Sequence, residues 1–269
     1  AQQITTDETH LTWTDGGIQD MNAHTWTSEN QFVRVLYYRL ALIISLSNDF
    51  IEQSSPENMI INGVREAEYA EISTFRDEVR FLRALAYWHA LDLFRNVPLV
   101  TEITSEAPTQ ATPQATFDFI ESELNDIESS MSDPRANEYG RADKGAVWML
   151  KAKLYLNSEV YTGQAKYTEC ITELNKVMNA GYSLHPNYLA NFMADNHTSN
   201  ELIFNFTSDG LLSQTWGGTT FLVHSMIQET MTPEDYGVDA GWSGPRATKV
   251  FVNKFADITG ATDKRAIFA

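Results

Sequence analysis

At 269 residues the chain is long enough to bury a sizeable core, as one large domain or two ordinary ones. Its 43% hydrophobic content excludes a disordered chain, and its net charge of −17 disfavours both nucleic acid and anionic membranes as partners. No apolar run approaches the roughly 18 residues that a membrane-spanning helix needs.

The first 30 residues carry Trp13, Gly16, Gly17 and Trp26 among Thr, Asp and Asn, with no helical stripe. They lack the basic and apolar regions of a secretion signal, as in a mature or trimmed chain. Helical periodicity then takes over. Gln31 to Phe50 sets Val33, Leu36, Leu40, Ile43 and Ser47 on one side, and Thr74 to Phe94 sets Phe75, Val79, Leu82, Ala86, His89 and Leu93. Asn96-Val97-Pro98 closes the second of these helices. Ala115 to Met131 places Phe117, Ile120, Leu124, Ile127 and Met131 on one stripe, opposite an acidic face read as solvated. Two further helices are expected over Arg141 to Leu156 and Ala165 to Ala180, with Gly181 as the C′ residue. Cys170 lies on the last of them, where a small core residue is expected.

Short connections and interleaved Ala and Gly make these segments read as helical hairpins, mostly α and tetratricopeptide-like, without a strict 34-residue repeat. The expected organisation is a scaffold over 31–192 flanked by loop-rich regions at 1–30 and 193–269, all within a single domain. From Asn191 onward Gly, Thr and Asp predominate, and Glu201 to Phe206 reads as a short strand or buried extended segment. The chain stops on Lys264-Arg265-Ala266-Ile267-Phe268-Ala269, which suggests a piece of a longer protein.

Reaction signatures are missing: no phosphate loop, no nucleophile elbow, no His pair or Cys-His cluster at metal-ligand spacing. No enzyme activity, cofactor or metal is therefore expected. His89 reads as a core imidazole, and Trp88 and Trp148 as helix-borne core residues. Asn196-His197-Thr198 and Asn205-Phe206-Thr207 match the N-glycosylation sequon, a short and common pattern.

The other tryptophans, Trp13, Trp26, Trp216 and Trp242, stand in loop-like sequence beside Gly, Thr, Ser or Asp. One such residue is as often a plug at the edge of a core as a ligand contact. Four together point to a ligand: an indole covers the C–H face of a sugar ring while carboxylates accept from its hydroxyl rim. Trp13-Thr14-Asp15-Gly16-Gly17 and Asp239-Ala240-Gly241-Trp242 each pair an indole with a carboxylate. The candidate contacts are Trp13, Trp26, Trp216, Trp242 and Tyr236, with Asp7 and Asp15 as acceptors. The same pairing suits a peptide, because tryptophan is a general hot-spot residue.

Several phrases together resemble the SusD/RagB family of surface nutrient-binding lipoproteins. Glu78-Val79-Arg80-Phe81-Leu82-Arg83-Ala84-Leu85-Ala86-Tyr87, running on to Leu93-Phe94-Arg95-Asn96-Val97-Pro98, looks like its most recognisable helix and exit. Gly140-Arg141-Ala142-Asp143-Lys144-Gly145-Ala146, Gly181-Tyr182-Ser183-Leu184 and Asp263-Lys264-Arg265 follow in the family's order. Thr5-Thr6-Asp7-Glu8, Asp15-Gly16-Gly17 and His24-Thr25-Trp26-Thr27 are similar to members that bind polysaccharide. Arg95 departs from the family, which commonly has Gly there.

The resemblance implies an outer-membrane, surface-exposed lipoprotein, anchored by lipid attached outside this sequence. It would capture oligosaccharide and deliver it to a SusC-like TonB-dependent transporter, without catalysis. Two alternatives stay open: a peptide-capturing RagB-like member, and a plain helical-repeat interaction scaffold whose tryptophans are plugs.

Overall fold

A computed structural model describes residues 3–207 and 218–266. In chain order, strand β1 (Thr9–Leu11) precedes helices α1 (Ile18–Asn22), α2 (Gln31–Gln53), α3 (Pro56–Ile61), α4 (Tyr69–Phe94) and α5 (Pro113–Glu128). Helices α6 (Lys144–Leu156), α7 (Ser158–Thr162) and α8 (Tyr167–Met178) follow. Helix α9 (Gly218–Met226), strand β2 (Pro245–Ala247) and helix α10 (Lys249–Val252) come last. The residues divide into two compact units, one formed by 1–36, 187–189 and 207–269, the other by 37–186 and 190–206.

The second unit is the helical scaffold. Helix α5 starts where Thr112 accepts a hydrogen bond from the Ala115 amide at 3.2 Å and Pro113 occupies the first turn. Its stripe of Phe117, Ile120, Leu124 and Ile127 is fully buried, and each side chain contributes about 1.5–3 kcal/mol through burial. Helix α5 packs against α4 and α6, while α6 pairs most extensively with α8. The tetratricopeptide-like hairpin fold is therefore present. Cys170 is buried in the core, as its helical position suggested.

Local chemistry shifts some element boundaries. Asp143 caps α6 by accepting from the Ala146 amide at 3.1 Å, so this helix begins three residues after Arg141. Helix α8 ends at Met178 with Asn179 as its C-cap, so Ala180 is the C′ residue and Gly181, expected there, lies one position further on with φ +83°. On α2 the buried stripe is Leu40, Ile44, Ser47 and Asn48, so Ile43 turns outward and Ile44 inward. Residues 201–206 form neither strand nor ladder. They are held by Phe204, whose ring meets Phe81 edge-on at 5.2 Å.

Buried charge joins the helices. Arg83, with its side chain only 6% exposed, donates to Glu123 Oε2 at 2.6 Å, Asn48 Oδ1 at 2.7 Å and the Thr101 carbonyl at 3.0 Å. Arg80 donates to the other Glu123 oxygen at 2.7 Å. Burial alone would raise the Glu123 pKa; the two guanidiniums outweigh it and lower it. A second network centres on Glu128, which accepts from Lys151 (2.6 Å), Lys176 (2.8 Å) and the Trp148 indole (2.8 Å). Trp148 thus has a polar anchor as well as a packing role.

At the exit of α4, Arg95 has φ +61° and ψ −67°, and the Asn96 amide donates to the Phe94 carbonyl at 2.7 Å. This is a γ-turn, a strained conformation for any residue with a Cβ. Arg95 donates to the Val160 carbonyl at 3.1 Å, which offsets part of the strain. Arg95→Gly should raise stability by about 1 kcal/mol, seen as a higher urea midpoint at unchanged slope.

The Glu128 network sets a pH dependence. Burial raises the carboxyl pKa, but its three donors bring it down to about 2 in the folded chain. With an unfolded value of ~4.3, the stabilisation is complete above that pH and is lost as pH falls through about 2. Urea midpoints measured between pH 5 and 2 should fall less steeply for Glu128→Gln than for the parent.

Candidate functional site: an aromatic cluster on the strand ladder

The first unit holds the expected ligand contacts that lie within the described residues. Strands β1 and β2 pair antiparallel, Thr9 opposite Ala247, His10 opposite Arg246 and Leu11 opposite Pro245. Beyond the ladder Thr12 continues the pairing, its hydroxyl donating to the Gly244 carbonyl at 2.9 Å. That register delivers Trp13 to Trp242: the indole Nε1–H donates to the Trp242 carbonyl at 2.8 Å, across 229 positions of sequence. An additional donor, Gln19 Nε2 from α1, bonds the Trp13 carbonyl.

Helix α9 supplies the rest. The amides of Trp242 and Gly244 donate to the carbonyls of His224 and Ser225, each at 2.8 Å, so residues 242–244 lie along the end of this helix. The His224 ring sits 4.8 Å from the Trp242 indole at a 31° tilt. Phe221 meets Trp13 edge-on at 5.7 Å and Trp242 at 6.1 Å. His224 Nδ1 donates to the Thr220 carbonyl at 2.8 Å, while Nε2 lies 3.4 Å from the exposed carboxylate of Asp239.

Both indoles are half-buried. Two glycines permit the approach. A Cβ on Gly244 would overlap the Trp13 indole, and one on Gly241 would overlap Ile227. The cluster offers apolar ring surface beside one carboxylate, the complement of a sugar face and its hydroxyl rim. Among the described residues, no group of three or more His, Cys, Asp or Glu could hold a metal ion.

The remaining expected contacts have separate local settings. Trp26, 44% exposed, meets the ring of His24 edge-on at 5.7 Å. His24 in turn donates from Nε2 to the Thr5 carbonyl at 2.8 Å. Asp7 and Asp15 are exposed; the Asp7 carbonyl accepts from the Thr248 hydroxyl, and the Asp15 carbonyl from the Ile18 amide. Tyr236 is exposed at the end of a 3-10 turn over Pro233–Tyr236. Trp216 lies outside the described residues. Phe221 and His224 escaped sequence reading, because α9 has no polar-to-apolar alternation that marks those two positions. The resemblance landmark at residues 263–265 is a local ion pair, in which the Arg265 side chain holds the Asp263 carboxyl down to about 2.

Helical hairpins in one unit and a loop-borne aromatic cluster in the other define a tetratricopeptide-like scaffold protein with an indole-rich site. The chain belongs to the SusD-like family. It is 35% identical over 258 residues to the starch-binding protein SusD of Bacteroides thetaiotaomicron, covering 94% of this chain and 45% of that protein. A SusD superfamily protein from Parabacteroides distasonis superposes with a TM-score of 0.79 at 18% identity, covering 98% of this chain and 54% of that one. A laminarin-binding SusD-like protein gives 0.78 at 22% identity, covering 98% and 58%. At such identities these two likenesses speak for the fold. No family model matches the chain. The chain spans about half the length of these relatives.

Gly244→Ala should destabilise the chain by about 1–3 kcal/mol, since the indole and the Ser225 carbonyl leave no room for a methyl group. Urea unfolding measures the loss. A shifted Trp13 indole N–H resonance in the folded variant would locate it.

Proposed function

We propose that this chain is a cell-surface glycan-binding protein whose ligand stacks on Trp13 and Trp242. The observation that carries this reading is their convergence, sealed by the Trp13-to-Trp242 hydrogen bond and flanked by His224 and Asp239. The 35% identity to a starch-binding protein supports a glucan as the first ligand to test. Trp26, the more exposed indole, would serve as a separate stacking surface, with Asp7, Asp15, Tyr236 and Trp216 contributing along a longer oligosaccharide. On the same reading the protein binds its ligand without transforming it. The captured oligosaccharide would then pass to a SusC-like TonB-dependent transporter, the protein being held at the outer membrane by a lipid carried outside these 269 residues.

Calorimetric titration with maltooligosaccharides and with laminarin oligosaccharides tests the reading. Trp242→Ala should weaken binding of the preferred glucan at least about tenfold, equivalent to ~1.4 kcal/mol. Trp13→Phe should weaken it less, because the variant keeps an aromatic ring but loses the indole donor. Unchanged affinity in Trp242→Ala, Trp13→Phe and Trp26→Ala alike would show the site to be elsewhere. Binding of mixed oligopeptides with indifference to every glycan would replace the ligand class.

A further inference from the structure

His224 turns a hydrogen-bond acceptor toward a second acceptor. Its Nδ1 lies 2.8 Å from the Thr220 carbonyl, one helical turn back along α9. A carbonyl only accepts, so the proton sits on Nδ1, and in the neutral ring Nε2 keeps its lone pair. That nitrogen faces Asp239 Oδ1 at 3.4 Å. A carboxylate also only accepts, so in the neutral form the two groups have no proton to share. Their separation fits this assignment, being longer than the roughly 2.7–2.9 Å of a charge-assisted N–H to carboxylate bond.

Two acceptors this close together call for a ligand with two donors at similar spacing. Each hydroxyl of a sugar has one proton to give, and hydroxyls on adjacent ring carbons project side by side. The pair therefore matches a vicinal diol, one hydroxyl donating to Nε2 and its neighbour to the carboxylate. A lone hydroxyl or a backbone N–H brings one proton and leaves the other acceptor unmet. The imidazole lies against the Trp242 indole, centroids 4.8 Å apart, which ties the acceptor pair to the aromatic cluster.

We propose that His224, as a neutral imidazole, and Asp239 read the glycan's linkage by accepting together from one vicinal diol. This role rests on the glycan-binding function proposed above and adds a preference to it. Internal units of a four-linked glucan keep adjacent hydroxyls on carbons two and three. In a three-linked glucan the carbon-three oxygen is spent in the linkage, so internal units have no adjacent pair.

Calorimetric titration with maltohexaose and with laminarihexaose in neutral buffer tests this role. The parent chain should bind maltohexaose at least about tenfold more tightly. His224→Phe keeps an aromatic ring against Trp242 but no acceptor. It should narrow the preference to within about threefold, chiefly by weakening maltohexaose. Asp239→Ala, at an exposed position, should do the same without disturbing the fold. Trp242→Ala, by contrast, should weaken both glucans, since stacking ignores linkage. Nitrogen NMR of the imidazole should show a neutral ring protonated on Nδ1, and an imidazolium in the maltohexaose complex overturns the assignment. Binding that depends on Trp242 but is equal for the two glucans overturns the diol role alone. So does a preference unmoved by both His224→Phe and Asp239→Ala. If neither glucan binds, or if Trp242→Ala changes nothing, the glycan-binding function itself fails and the diol role with it.

Discussion

The helical unit depends on one buried guanidinium. Arg83 ties α4 to Glu123 of α5, to Asn48 of α2 and to the backbone at Thr101. Desolvating an arginine is costly, and it is tolerated only because a carboxylate, an amide oxygen and a carbonyl all accept from it. The ion pair therefore constrains geometry more than it adds net stability. Helix α4 can sit in only one register against α5, since a slip of one residue would leave Arg83 and Glu123 buried apart. The hydrophobic stripe of α5 supplies the energy, and Arg83 selects the arrangement in which it is realised.

In the other unit a short ladder carries a disproportionate responsibility. Three residue pairs of antiparallel strand join positions more than 230 apart, and their register decides which side chains meet beyond it. Thr12 and Trp13 follow β1; Trp242, Ser243 and Gly244 precede β2. The site therefore arises from pairing geometry, and the glycines at 241 and 244 allow the backbone to come close enough for an indole to reach a carbonyl. The proposed glycan recognition would suit this design. Weak stacking contacts of about 1 kcal/mol must be held in place before the ligand arrives, or ordering them would consume their gain.

Helix α2 lends one arc to the core of the helical unit. Its inner arc is continuous with the core through Leu40 and Ile44, while its outer arc presents tyrosine, leucines and phenylalanine to solvent.

The helices are legible in the residues alone, because a period of 3.6 residues is a local property and Phe117, Ile120, Leu124 and Ile127 fall on one stripe only in a helix. The family was legible too, through phrases that occur in a shared order, whereas the Thr112 cap moves the start of α5 two residues ahead of the expected Ala115. The sequence marked Trp13 and Trp242 individually, by their loop-like neighbours. That these two meet, that Phe221 and His224 join them, and that Ile44 rather than Ile43 faces inward came from the folded chain. Those outcomes depend on strand register and helix rotation, which are set by contacts between residues distant in the chain. Position 201–206 shows the same division: its apolar character is local, but Phe204 packing on Phe81 left it without a strand to pair with.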